Sequence, residues 1–364
     1  MVDWFVILAP VFLLAVVALL RFIGCGELLS IGPDPLSISS LNPDNTRVRK
    51  SLTLVIEGSS FETNPLVNFG KSVLTPITSV TENKINVQVP GNLPELANAG
   101  KVDVTVENSN NVRSAPRTFT VNNPRPQITE FSPPFIAQGG CKSDPLPTFE
   151  LTVKGSDFLS GLRVDFGSSM GIAPNSVTPE EIKASIPKAA IANAGKVKVT
   201  VTNPDPSEGP AESELLNIRA PIPVVFTSPP LQGNLGANNP LDGDYPPSPN
   251  GILNFGTGLW AWSGPSGPAP GINIFFAGPG TARNFAFVGP PRILVSMRVF
   301  TPPNTPTQNI TLTSNTGESK VQSITAGTLQ TVETCWLKLA QTITVDFPGG
   351  ADLAIDMINY IAPP

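Results

Sequence analysis

The sequence predicts an all-β protein of tandem antiparallel sandwiches behind an N-terminal hydrophobic helix. Three observations predict it: a long stretch that occurs twice, apolar residues that alternate with polar ones inside it, and 41 prolines and 31 glycines punctuating 364 residues. Gly58-Ser59-Ser60-Phe61, Val67-Asn68-Phe69-Gly70 and Val80 through Pro90 return as Gly155-Ser156-Asp157-Phe158, Val164-Asp165-Phe166-Gly167 and Val177 through Pro187. After a short slip, Ala97-Asn98-Ala99-Gly100-Lys101-Val102 returns as Ala192-Asn193-Ala194-Gly195-Lys196-Val197. A stretch of this length repeated in one order is a duplicated folding unit.

Within each copy the apolar residues recur at every second position. Leu52, Leu54 and Ile56, then Ile85, Val87 and Val89, then Val102, Val104 and Val106 do so in the first copy. Phe149, Leu151 and Val153, then Val197, Val199 and Val201 do so in the second. That period places one face of each strand on a core and the other in water. Gly58, Gly70, Pro90, Gly100 and Asn108 break the runs at the spacing of an antiparallel sandwich.

Composition removes several function classes. Charged residues are 14% of the chain and the net charge is -5, so there is no basic field to hold a phosphate backbone, and nucleic acid is not an expected partner. The chain has no histidine, which removes the commonest general base and metal ligand; any catalysis would rest on carboxylates. The three cysteines, Cys25, Cys141 and Cys335, have no CxxC spacing. A bridge between Cys141 and Cys335 would need two modules to dock closely, so two unpaired thiols are the expectation.

From Trp4 to Leu20 every residue is apolar, and the run continues past Arg21 to Cys25, near the length of a bilayer-spanning helix. Phe22-Ile23-Gly24-Cys25 resembles a bacterial lipoprotein cleavage box in which Cys25 would be lipidated. Met1-Val2-Asp3 carries no Lys or Arg, and Arg21 on the far side argues against export, so a lipoprotein signal and an uncleaved anchor both stay open. In either case the membrane is a partner through this segment and the rest of the chain lies outside the cytoplasm.

The repeat opens alike in both copies, with Ile38, Leu41 and Pro43 matched by Ile128, Phe131 and Pro133. This opening, the Gly-x-x-Phe turn, the Val-x-Phe-Gly hairpin and the closing Ala-Gly-Lys-Val run together resemble the IPT/TIG family, over Pro33 to Ala220. The resemblance implies two immunoglobulin-like β-sandwiches, modules that in bacteria commonly serve extracellular proteins as spacers or ligand-presenting units. The second copy carries an insertion from Phe135 to Pro147, read as a tolerated loop.

Beyond Ala220 the repeat stops, and the Pro-, Gly- and Asn-rich stretch Pro221 to Pro249 reads as a linker leading into a new domain. Strand-like runs follow at Ile272–Phe276, Asn284–Val288, Ile293–Phe300, Asn309–Thr313, Lys320–Thr325, Thr342–Phe347 and Leu353–Ile358. Leu259-Trp260-Ala261-Trp262-Ser263-Gly264, the run Arg292-Ile293-Leu294-Val295 and the closing Ala354-Ile355-Asp356 resemble jelly-roll domains of the carbohydrate-binding type. The expected organisation is an anchor or lipoprotein signal over 1–31, Ig-like sandwiches over 32–123 and 124–220, a linker over 221–240 and a jelly-roll-like sandwich over 241–364.

Candidate site residues are few. Trp260 and Trp262 are two apart and would share a strand face, either as core residues, the commoner fate of tryptophan, or as a platform on which a sugar ring stacks. Asp242, Asp244 and Asp356 are candidates for a structural calcium of the kind jelly-roll sandwiches hold, although a solvated acid is the default for each. No other cofactor is expected. The whole reads as a non-enzymatic, membrane-anchored protein of the cell envelope, an Ig-like stalk whose tip binds glycan or a surface protein. The alternatives are a purely structural or adhesive protein and, more remotely, a carboxylate-based glycan-active enzyme.

Overall fold

The computed structural model describes residues 34–141, 148–212, 214–226, 243–245, 252–257, 260–263, 273–276, 282–348 and 352–363. The N-terminal hydrophobic segment, with Cys25, lies outside them. The described residues are nearly all β, and the chain divides into two compact units, one holding the first repeat and the other everything from Val121 onward.

The first unit is a sandwich of a four-stranded and a five-stranded sheet. One sheet runs Ser37–Asn42, Leu52–Ser59, Lys84–Val89, Ile77–Thr81; the other runs Asn45–Arg47, Arg117–Asn122, Gly100–Glu107, Leu66–Phe69, Ser72–Val73. The alternation read from sequence holds: Leu54, Ile56, Val87, Val104 and Val106 are fully buried while their neighbours face outward. Phe69 and Phe119 meet edge to face across the core at 5.2 Å.

The repeated Gly-x-x-Phe has a steric cause. A Cβ on Gly58 would stand 2.0 Å from the Ser37 carbonyl oxygen and 2.5 Å from the Phe61 ring, and one on Gly155 would stand 1.8 Å from Gln127 and 2.6 Å from Phe158. Only glycine lets the opening strand and the buried phenylalanine close on the same spot.

Glu95 belongs to the first copy alone. Burial pushes its carboxyl up, but hydrogen bonds from the Ser72 hydroxyl and from the backbone N–H groups of Lys71 and Ser72 outweigh this and hold it below the ordinary carboxylate value. This contribution is present above the unfolded carboxyl's range and is lost as pH falls through the folded one.

In the second unit, the second repeat folds with the strand order of the first. Gln127–Ser132, Thr148–Ser156, Glu181–Pro187 and Ser176–Val177 form one sheet; Phe135–Ala137, Glu214–Arg219, Gly195–Thr202, Arg163–Phe166 and Ser169–Ile172 form the other. The C-terminal third is a further pair of sheets. One runs Ala261–Ser263, Asn273–Phe276, Leu353–Ile361, Ile293–Phe300, Gln330–Glu333. Its partner runs Asp244–Tyr245, Leu253–Asn254, Arg283–Phe287, Thr342–Asp346, Gln308–Ser314, Ser319–Ile324.

Three features join the second repeat to this C-terminal sandwich, and each corrects an expectation from sequence. First, the insertion read as a tolerated loop begins with a buried strand. In Phe135–Ala137, Phe135 and Ala137 pack with the C-terminal core while Ile136 packs with the core of the second repeat. The matching strand of the first repeat is Asn45–Arg47, where Asn45 and Arg47 are exposed and only Thr46 is buried. The outward residues turn apolar in the copy whose outer face is covered.

Second, the start of the expected linker is a strand. Ile222–Val225 pairs antiparallel with the end of Leu353–Ile361, setting Ile222 opposite Tyr360 and Val225 opposite Met357. Val224 and Phe226 are buried in the C-terminal core, and the Tyr245 hydroxyl donates to the Val225 carbonyl at 3.1 Å. The rest of the linker lies outside the described residues.

Third, Cys141 and Cys335 form a disulfide with Cα atoms 4.9 Å apart, where two unpaired thiols were expected. The close docking that a bridge requires is supplied by the other two features.

Phe135→Asn, which restores the polarity of the first repeat, is expected to destabilise the second unit by at least about 3 kcal/mol, because it removes a buried ring and leaves an amide in an apolar core. Chemical denaturation of the full chain measures this; an unchanged midpoint would contradict the shared core.

Candidate functional site

The candidates read from sequence are scattered by the fold. Trp260 is 2% exposed, packs edge to face on Phe255 at 5.6 Å, and donates its indole N–H to the Asn284 carbonyl at 2.9 Å. It is therefore a core residue with its polar edge satisfied, and offers no open face to a sugar ring. Trp262 stands in Ala261–Ser263 opposite Ile274.

Asp356 does not face a cation site. Arg298 grips both of its oxygens through Nε, at 2.8 and 2.9 Å, and its Nη2 approaches to 2.6 Å. The hydrogen bond with Asp356 outweighs partial burial and raises the guanidinium further above its ordinary value. Asp244 accepts from Asn254 Nδ2 at 2.6 Å and belongs to the opposite sheet, so the two acids are not brought together. Asp242 lies outside the described residues, and among those described no three of His, Cys, Asp and Glu cluster as metal ligands.

The fold does build a concave site at a place the sequence reading missed, the junction inside the second unit. A cleft of about 210 Å³ opens there, walled by Phe135 and Phe149 from the second repeat and Trp336 from the C-terminal sandwich. Glu150, Lys188 and Glu333 also line it, and both bridged cysteines are part of its wall.

Each wall is held in place by its own local chemistry. On one side Gly139 and Gly140 take φ of 73° and 62°, the left-handed region that glycine enters without penalty, and so turn the chain into Cys141. The Gly139 N–H donates to the Ile191 carbonyl at 2.7 Å, the Gln138 amide to the Ala192 carbonyl at 2.8 Å, and the Lys188 ammonium to the Cys141 carbonyl at 2.9 Å.

On the other side Cys335 has φ of 59°, a conformation that costs a residue with a Cβ on the order of 1–3 kcal/mol and persists only where its surroundings enforce it. They do. Thr334 is buried, its backbone N–H donating to the Val295 carbonyl at 3.0 Å and its hydroxyl reaching the carbonyls of Leu294 and Val295. Glu318 accepts the backbone N–H groups of Leu337 and Lys338 at 2.8 and 3.1 Å. Trp336 sits between these clamps, 7% exposed, with an indole N–H that has no acceptor among the described residues.

Phe135 and Ala137 standing where the first repeat has Asn45 and Arg47 is the one signal in the sequence that marked this face as covered. Nothing in the spacing of Cys141, Phe149, Lys188 and Trp336 announced a common site.

The two tryptophans give a paired expectation. Trp260→Phe removes a satisfied donor, whereas Trp336→Phe removes a donor that has no acceptor among the described residues. In urea titrations of the full chain the first substitution should cost about 1–3 kcal/mol more than the second. Equal losses, or a larger loss at Trp336, would contradict the assignment.

Residues 36–121 match the IPT/TIG domain family, and no curated protein matches the chain. Among solved structures, a Bacteroides ovatus mixed-linkage glucan utilization locus SGBP-B, in complex with a mixed-linkage heptasaccharide, is similar at 12% identity over 91% of this chain and 77% of that one, with a TM-score of 0.23. An SGBP-B from a complex xyloglucan utilization locus in Bacteroides uniformis is similar at 12% identity over 91% of this chain and 100% of that one, with a TM-score of 0.24. The I9–I11 tandem of titin is similar at 8% identity over 85% and 90%, with a TM-score of 0.24.

Proposed function

We propose that this chain, with an IPT/TIG domain at residues 36–121, is a non-enzymatic protein of the cell envelope. Its hydrophobic N-terminus attaches it to the membrane, as an uncleaved anchor or through a lipid on Cys25. Its Ig-like modules present a C-terminal β-sandwich outside the cytoplasm to carbohydrate or to another surface. The observation that carries this reading is the disulfide between Cys141 and Cys335, 194 residues apart in sequence and joining two modules. Structural bridges of this kind persist in oxidising compartments and are rare where thiols are kept reduced. Catalysis by carboxylates alone would need two of them aimed into one cleft. Two carboxylates, Glu150 and Glu333, line the junction cleft, but Glu150 is exposed and stands 4.0 Å from Lys183.

The burial of Trp260 favours a second reading in which the tip adheres to like molecules and recognises no saccharide. Pull-down of the detergent-solubilised full chain on a panel of insoluble polysaccharides separates the two. Retention on at least one supports the first reading, and retention on none, with self-association in solution, supports the second. Location is tested independently. Alkylation of the unfolded, unreduced chain from its native host should leave Cys141 and Cys335 unlabelled; labelling of both would contradict an extracytoplasmic, bridged protein.

A further inference from the structure

The junction cleft has a chemistry that the glycan reading does not absorb. Its walls are mainly apolar, with three aromatic side chains, Phe135, Phe149 and Trp336, contributed from both modules. An apolar cavity of about 150 Å³ accepts benzene, so the 210 Å³ here has room for one ring system. It falls below the ~300–1,000 Å³ typical of sites for drug-sized ligands, so it holds one ring rather than several linked units.

The charged residues narrow the class further. Glu150 and Glu333 contribute two negative charges to the lining and Lys188 one positive. Lys188 is also already engaged with the Cys141 carbonyl. Among the described residues of the lining no cation stands unengaged to meet a carboxylate or phosphate, so an uncharged ligand fits best. The half-buried Phe149 ring and the exposed part of Trp336 give a ligand ring a surface to pack on, offset or edge to face, with buried Phe135 behind them. The walls are preorganised by the Cys141–Cys335 bridge and by the backbone bonds that hold residues 334–338, so little ordering is left for a ligand to impose.

We propose that the cleft between the second Ig-like repeat and the C-terminal sandwich binds a single uncharged aromatic ring, free or carried on a larger molecule. The site goes beyond the carbohydrate reading and does not depend on it.

The test uses 4-fluorophenol as probe and the full chain in lipid nanodiscs, read by fluorine NMR against empty nanodiscs. Saturable broadening with a Kd on the order of 1 mM or tighter is expected for a ligand of this size. Ala137→Leu, which adds bulk to the wall, and Phe149→Ala, which removes one, should each weaken binding at least about tenfold, both variants being first shown to melt as folded proteins. No saturable binding beyond that of empty nanodiscs would overturn the proposal, as would affinity unchanged in both variants. Displacement of the probe by D-glucose at equal concentration would also overturn it, reassigning the cleft to sugar rings.

Discussion

One strand of three residues faces two cores at once, and the second unit depends on it. Neighbouring side chains of a β-strand point to opposite sides of the sheet, so Phe135–Ala137 can send Phe135 and Ala137 into the C-terminal core and Ile136 into the core of the second repeat. Burying a phenylalanine ring is worth about 1.5–3 kcal/mol, and a native disulfide about 2–5 kcal/mol. The ring and the bridge are thus comparable terms holding the same seam. The strand Ile222–Val225 adds a backbone ladder beside them. Together they turn two sandwiches into one compact unit, and the cleft exists only because both sandwiches supply its walls.

The duplication itself was fully legible. A repeated Gly-x-x-Phe, a repeated Val-x-Phe-Gly and period-two apolar runs are local signals, and local signals are what a strand requires. Seven of the C-terminal strands were legible for the same reason, with Ile293–Phe300 found at its exact bounds, whereas Gln330–Glu333 was not read. The seam was not, because its signals are non-local or contradictory. Ile222-Pro223-Val224-Val225 reads as linker because proline interrupts a sheet, yet proline is tolerated on a strand that pairs on one side only. Cys141 and Cys335 gave no spacing to read, since a bridge follows from docking and the docking is encoded elsewhere. The one local trace was the exchange of Asn45 and Arg47 for Phe135 and Ala137, visible only by comparing the two copies as surfaces.

The partners of Trp260 and Asp356 were hidden from the sequence for a related reason. A tryptophan in a β-sandwich is indistinguishable by sequence as platform or core, and the Asn284 carbonyl that satisfies Trp260 comes from a strand of the facing sheet. Asp356 alternates against an apolar face as an exposed acid would, but the adjacent strand places Arg298 beside it. In each case the deciding partner arrives across a sheet or between sheets. The cleft follows the same rule, its aromatic walls coming from segments nearly two hundred positions apart.

Hydrogen exchange across residues 222–226 of the full chain tests the fused unit most directly, since the sequence reads this segment as linker and the fold makes it a strand between the modules. The account predicts that the amides of this segment bonded to Leu353–Ile361 exchange far more slowly than those of an open loop. Exchange at the rate of an open loop, with the two sandwiches melting separately, would contradict it.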